Sequence, residues 1–150
     1  MAIKYSDRST FTRFPDGVHY KLVINIGGRV RYAETKVSVS ASHQHDRVAV
    51  SDRAYAWMDK PNYPSRKAPL PNDPYILGAI HGVKFALKHS LDSDRGKEAR
   101  ITIEEIQILV VDTTPMAVAT AACYATWIAL DTSGTILPIV GERDMELPEV

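Results

Sequence analysis

From Met116 to Leu130 the chain is apolar on almost every side. A helix with that pattern has no face to give to water, so it must be sandwiched inside a core. The turn before it, Val110-Val111-Asp112-Thr113-Thr114-Pro115, offers Asp112, Thr113 or Thr114 as a cap and Pro115 for the first helical turn. The run is shorter than the ~20 apolar residues that a membrane span needs. What covers it must therefore be the rest of this protein. With 150 residues the chain has the length of one ordinary domain. A domain of this size buries roughly two-thirds of its unfolded surface, enough for a core without staples. A share of 45% hydrophobic and 24% charged residues excludes disorder and a membrane protein alike.

The remaining elements must supply that cover. After a polar start closed by Pro15-Asp16-Gly17, the run Val18 to Ile26 reads as a strand, broken by Gly27-Gly28. Val30, Tyr32, Val37, Val39 and Ala41 mark a second strand whose phase shifts near Glu34, the signature of a bulge. Val48 to Trp57 alternates as a third, which predicts an antiparallel sheet. Lys60 to Pro74 holds five prolines and reads as a stiff extended connection rather than a domain boundary. Asp73-Pro74 opens a helix whose apolar stripe runs through Ile76, Ala79, Ile80, Val83, Ala86 and Leu87. On one side of that helix Gly78 and Gly82 predict close approach of a neighbour. Leu91 to Ala99 is a polar loop, Arg100 to Val111 a β-branched strand, and Thr135 to Val140 a last edge strand before an acidic, solvated tail. The order predicts an α+β fold in which a four-stranded sheet is backed by two helices on one face.

Cys123, the single cysteine, sits in the alanine-rich run and reads as a buried, inert thiol. That usage fits a reducing compartment, and the first residues lack the apolar core of a signal peptide. The expectation is a soluble, cytoplasmic protein. Net charge is zero, yet residues 1–72 hold twelve Lys/Arg against six Asp/Glu, and residues 73–150 the reverse. Such a split fits a basic binding face beside an acidic one, and fits somewhat better two halves that attract each other.

Catalytic signals are missing. No P-loop, dinucleotide fingerprint or nucleophile elbow occurs. His43-x-His45-Asp46 is a metal fragment without further ligands, and His81 and His89 lie two helical turns apart. Glu104 and Glu105, adjacent in a strand, are expected on opposite faces, which makes them a poor acid–base pair. The reading is a binding domain without catalytic residues, metal or cofactor.

Three segments, in order, resemble one family. They are Tyr20-Lys21 followed by Gly27-Gly28-Arg29-Val30-Arg31-Tyr32-Ala33, then Tyr75-Ile76-Leu77-Gly78-Ala79-Ile80-His81-Gly82-Val83, then Val111-Asp112-Thr113-Thr114-Pro115-Met116-Ala117. Together they are similar to the fourth domain of bacterial elongation factor G, over about residues 20–130 of a single domain spanning 1–150. The resemblance implies a ribosomal-protein-like fold with a left-handed βαβ crossover. It also implies that the Gly27-Gly28 loop and the Val110 to Thr113 turn lie near one end, which in the full factor enters the decoding site and contacts RNA. The factor's GTPase domain has no counterpart here, so no nucleotide is expected. Leu109 stands where the family has a tip histidine, and Val30 where its loop has a third glycine.

Two readings of partner follow. A ribosome- or RNA-facing tip would use Lys21, Gly27, Gly28, Arg29, Arg31 and Tyr32, with Val110, Asp112 and Thr113 beside them. Cations neutralise phosphate there, and the Tyr32 ring could stack a base for ~1–3 kcal/mol. A protein-binding or self-associating module would instead anchor through Trp57, Met58, Tyr63 and Tyr75 around the proline-rich segment.

Overall fold

The computed structural model describes residues 5–41, 47–58, 72–92 and 97–148. It is an α+β fold in which two helices lie on one face of a mixed sheet. The strands are β1 (Tyr5–Asp7), β2 (Thr10–Phe14), β3 (Gly17–Ile26), β4 (Arg29–Ala41), β5 (Val48–Val50) and β6 (Ala99–Gln107). Helix α1 spans Pro74–Lys88 and helix α2 Pro115–Ala129. The four strands expected from the sequence correspond to β3, β4, β5 and β6, and among the described residues the sheet carries six, in the order β1-β3-β4-β6-β5 with β2 also on β3.

Four expectations are corrected. The polar start is β1 and β2, both exposed throughout and both antiparallel to β3. The third strand is only three residues long and runs parallel to β6, because the chain returns through α1 before β6 begins. After it, Ala56–Met58 forms a short 3-10 turn. The last strand does not join the sheet: Ile139–Val140 (β7) pairs with Met145–Glu146 (β8) in a separate ribbon. Nor is the tail all solvated, since Met145 and Leu147 are buried. The His43–Asp46 segment and most of Lys60–Pro74 lie outside the described residues.

Why the sheet takes helices on one face only is visible in its alternation. Val18, Tyr20, Leu22, Ile24 and Ile26 of β3 are buried in phase with Ala33, Thr35 and Val37 of β4. The Tyr20 ring stacks on Tyr124 of α2 with centroids 5.5 Å apart, which fixes that side as the helix side. Opposite it His19, Lys21, Tyr32, Glu34 and Lys36 form an open face.

Both helices begin as the sequence predicts. Asp73 accepts the Tyr75 and Ile76 amides, and Thr114, among the three capping alternatives, accepts the Ala117 amide. A Cβ built on Gly78 would stand 2.4 Å from the Pro115 carbonyl oxygen, and one on Gly82 2.0 Å from that of Ala119. The two contacts advance together along both chains, so the helices run parallel with their N-termini at one end. Trp127 locks their far ends by donating its indole N–H to the Ala86 carbonyl at 2.8 Å. Among the described residues no helix is long and apolar enough to cross a membrane.

Candidate functional site

The β3–β4 hairpin closes on Gly27-Gly28, with φ of 57° and 87°. A two-residue turn with both central residues at positive φ suits the right-handed twist of the strands, and glycine reaches it without strain. The Asn25 side chain braces it by accepting the Gly28 amide at 2.9 Å. The pair is thus explained by hairpin geometry alone.

Beside this hairpin, the β6–α2 turn docks on β4. The Tyr32 amide donates to the Asp112 carbonyl at 2.9 Å, continuing the ladder past the end of β6. The Thr113 hydroxyl donates to the Tyr32 carbonyl at 2.6 Å and accepts the Leu109 amide at 2.8 Å. Both the Asp112 and Thr113 amides donate back to the Leu109 carbonyl. The loop is pinned at both ends, yet its crown is apolar and open: Val110 is 87% and Val111 86% exposed, with Leu109 and Val30 exposed too. Sequence reasoning listed Val110 for its position but missed this patch. The signal available was Leu109-Val110-Val111 itself, an apolar triplet running past the end of a strand into a turn.

The structure divides the residues expected to face RNA. Gly27, Gly28, Arg29 and Lys21 are exposed. Thr113 is buried as the latch of the turn. Arg31 is only 9% exposed and points to the helix side, where its Nε donates to the Arg143 carbonyl at 3.0 Å and lies 3.7 Å from Asp144. It ties the tail to the sheet instead of offering a charge at the tip. Tyr32 faces the open side, where Lys21 Nζ stands 5.8 Å from its ring centroid and its hydroxyl donates to Glu34. Burial and the Glu34 carboxylate hold that phenol well above the ordinary tyrosine range.

Carboxylates interleave with the cations on this face. His19 Nε2 lies 3.3 Å from Glu34. A register shift between Lys36 and Val37 inserts an extra residue in β6, leaving both Ile103 and Ile106 fully buried. Glu104 and Glu105, expected on opposite faces, therefore share the open one. With Lys36, Ser51, Arg53, Ala56 and Trp57 they line a shallow groove of about 420 Å³. Of the expected protein anchors, Trp57 donates its indole N–H to the Ile106 carbonyl, and Met58 and Tyr75 pack against the core. All three are half-buried, and Tyr63 lies outside the described residues. Cys123 is buried and free, its thiol pushed up by burial. Among the described residues no three His, Cys, Asp or Glu side chains gather to hold a metal.

No protein-family model matches this chain. No curated protein matches it closely enough to count as a relative.

Proposed function

We propose that this chain is a non-catalytic binding module that meets a protein partner through its tip, with no cofactor or nucleotide. One observation carries the reading: a loop pinned by backbone bonds to Tyr32 nevertheless leaves Val110 and Val111 almost wholly in water. Exposed apolar side chains on a rigid support lose little conformational entropy on docking, and such patches mark association sites. The surrounding charge supports the same choice. Glu34, Glu104 and Glu105 offset the lysines of the open face, and net charge is zero, where a phosphate backbone would favour a basic surface.

In the same reading the fold is that of the fourth domain of elongation factor G, with β5–α1–β6 as its left-handed crossover. What supports this is the pairing of parallel β5 and β6 on either side of α1, and the closeness of the β6–α2 turn to the start of β4. A ribosome- or RNA-facing tip is the second reading, favoured by exposed Arg29 and by Lys21 over the Tyr32 ring.

A photo-crosslinking residue at Val110, compared with one at the exposed Leu91, separates the two. A protease-sensitive adduct formed only from position 110 is the expected result. A nuclease-sensitive adduct that co-sediments with ribosomes would transfer the function to RNA. Equal labelling from both positions would remove the tip as a binding site.

A further inference from the structure

The long edge of the sheet formed by β1 and β2 has no strand beyond it among the described residues, and every residue of both strands is exposed. Its hydrogen-bonding capacity can be assigned residue by residue. β1 and β2 hold one register on β3, from Tyr5 opposite Ile26 to Phe14 opposite Gly17. The Arg8 amide donates to the Val23 carbonyl at 2.8 Å, so even-numbered amides face β3 and odd-numbered ones face outward. One outward amide, that of Ser9, is already taken by the Asp7 carboxylate at 2.8 Å. In β2 the outward groups left are the N–H and C=O of Phe11 and Arg13.

These two residues are complementary to themselves. An antiparallel second copy related by a twofold axis at Thr12 sets Phe11 opposite the partner's Arg13. Each free N–H then meets a free carbonyl, giving four main-chain hydrogen bonds per pair of chains. The side chains match as well. Within one chain the Arg13 guanidinium already lies 5.9 Å from the Phe11 ring, and the pairing adds the partner's ring on the same face. Arg13 is held in place by Asp131 at 3.1 Å and by the Ile128 carbonyl. Further out, the same register sets Arg8 opposite the partner's Asp16, a charge pair, and Ser9 opposite Pro15, where neither has an N–H to offer. Centring on Arg13 would oppose two arginines, and centring on Phe11 would require the Ser9 amide that Asp7 occupies.

We infer that β2 is a self-association strand, through which two copies of this chain join their sheets into one continuous antiparallel sheet centred on Thr12. β2 pairs with the Gly17 to Lys21 half of β3, at the end away from the Gly27-Gly28 turn, so the inference stands independently of the function proposed for the tip.

Sedimentation equilibrium from about 1 µM to about 1 mM, the span of weak self-association, tests it. The wild-type mass should rise with concentration from 16.7 kDa to twice that value. Phe11→Pro removes an outward N–H while leaving the bonds to β3, and should raise the dimer dissociation constant roughly tenfold or more. Arg8→Glu should raise it up to about fivefold, and Arg8→Glu/Asp16→Lys should restore it. Circular dichroism confirms that each variant is folded, and the charge pair decides the matter if Phe11→Pro is not. A wild-type mass that stays at one chain throughout overturns the inference. So does a dimer that neither Phe11→Pro nor the charge reversal alters.

Discussion

Gly82 of α1 lies so close to Ala119 of α2 that a Cβ on it would stand 2.0 Å from the Ala119 carbonyl oxygen. That oxygen is helix backbone and cannot swing aside, so the helices must separate to admit even a methyl group. Gly82→Ala should therefore destabilise the fold by about 1–3 kcal/mol, despite the better helix propensity of alanine. Lys84→Ala, at an exposed position on the same helix, should change stability by less than about 0.5 kcal/mol. Urea denaturation midpoints of the two variants give the comparison.

The Gly27-Gly28 turn responds to backbone strain alone, since a Cβ at either position meets nothing within 4 Å. Alanine at Gly28 should cost about 1–2 kcal/mol through its positive φ. Asparagine, which tolerates that region better, should cost less. Thermal melts that place Gly28→Asn at or below Gly28→Ala would show that the cost has another origin.

Arg31 is expected to act as the tether of the tail. Arg31→Ala removes the bond to the Arg143 carbonyl and the contact with Asp144, and Asp144 also accepts the Thr114 hydroxyl at the start of α2. The loss should be about 1–2 kcal/mol and local. Hydrogen exchange should quicken at Met145 and Leu147 while β3 amides keep their protection.

Tyr20 and Tyr124, stacked under the sheet, are both held above the ordinary tyrosine range by burial, Tyr124 up to about 12. The folded state thus favours the neutral phenol, and the stability this provides is complete below the unfolded value near pH 10. It fades as pH rises from there to about 12. Absorbance at 295 nm should show late-titrating phenols that ionise together with loss of circular dichroism. Tyr124→Phe, which has no proton to lose, should move the alkaline midpoint upward.

Helices were the most legible part of the sequence. Asp73-Pro74 and Thr114-Pro115 carry their own start signals, and the stripe through Ile76, Val83 and Ala86 carries its own period. β3 was equally plain because one face is buried and the other wet. β1 and β2 were not, because an edge strand exposed on both faces shows no alternation. The direction of β5 was hidden as well, since three residues reveal a strand but not which neighbour it will meet. At the tip, the residues alone did not say which turns come together, a placement that only the resemblance implied, nor which side chains would be absorbed. Arg31 and Arg29 look alike in a list of cations and share one face of β4, yet Arg31 lies where the tail covers it, against the Arg143 carbonyl and Asp144, while Arg29 flanks the Gly27-Gly28 turn in water. The bulge was expected in β4 near Glu34, whereas β4 keeps an unbroken register on β3 and the extra residue is Glu104 of β6, an irregularity that exists only in the pairing of β6 with β4.

β6 lies between β4 and β5 although it is made after both. During synthesis β1 to β4 can assemble from neighbouring segments as each emerges, whereas β5 has no partner until residue 99 appears. Until then the edge of β4 that will receive β6 stands uncovered, Val37 and Val39 included. Insertion of a central strand requires closure of long loops, which slows folding and leaves sticky edges exposed meanwhile. The nascent chain is therefore expected to expose this unpaired edge late, after more than half of it has left the ribosome, until β6 inserts between β4 and β5.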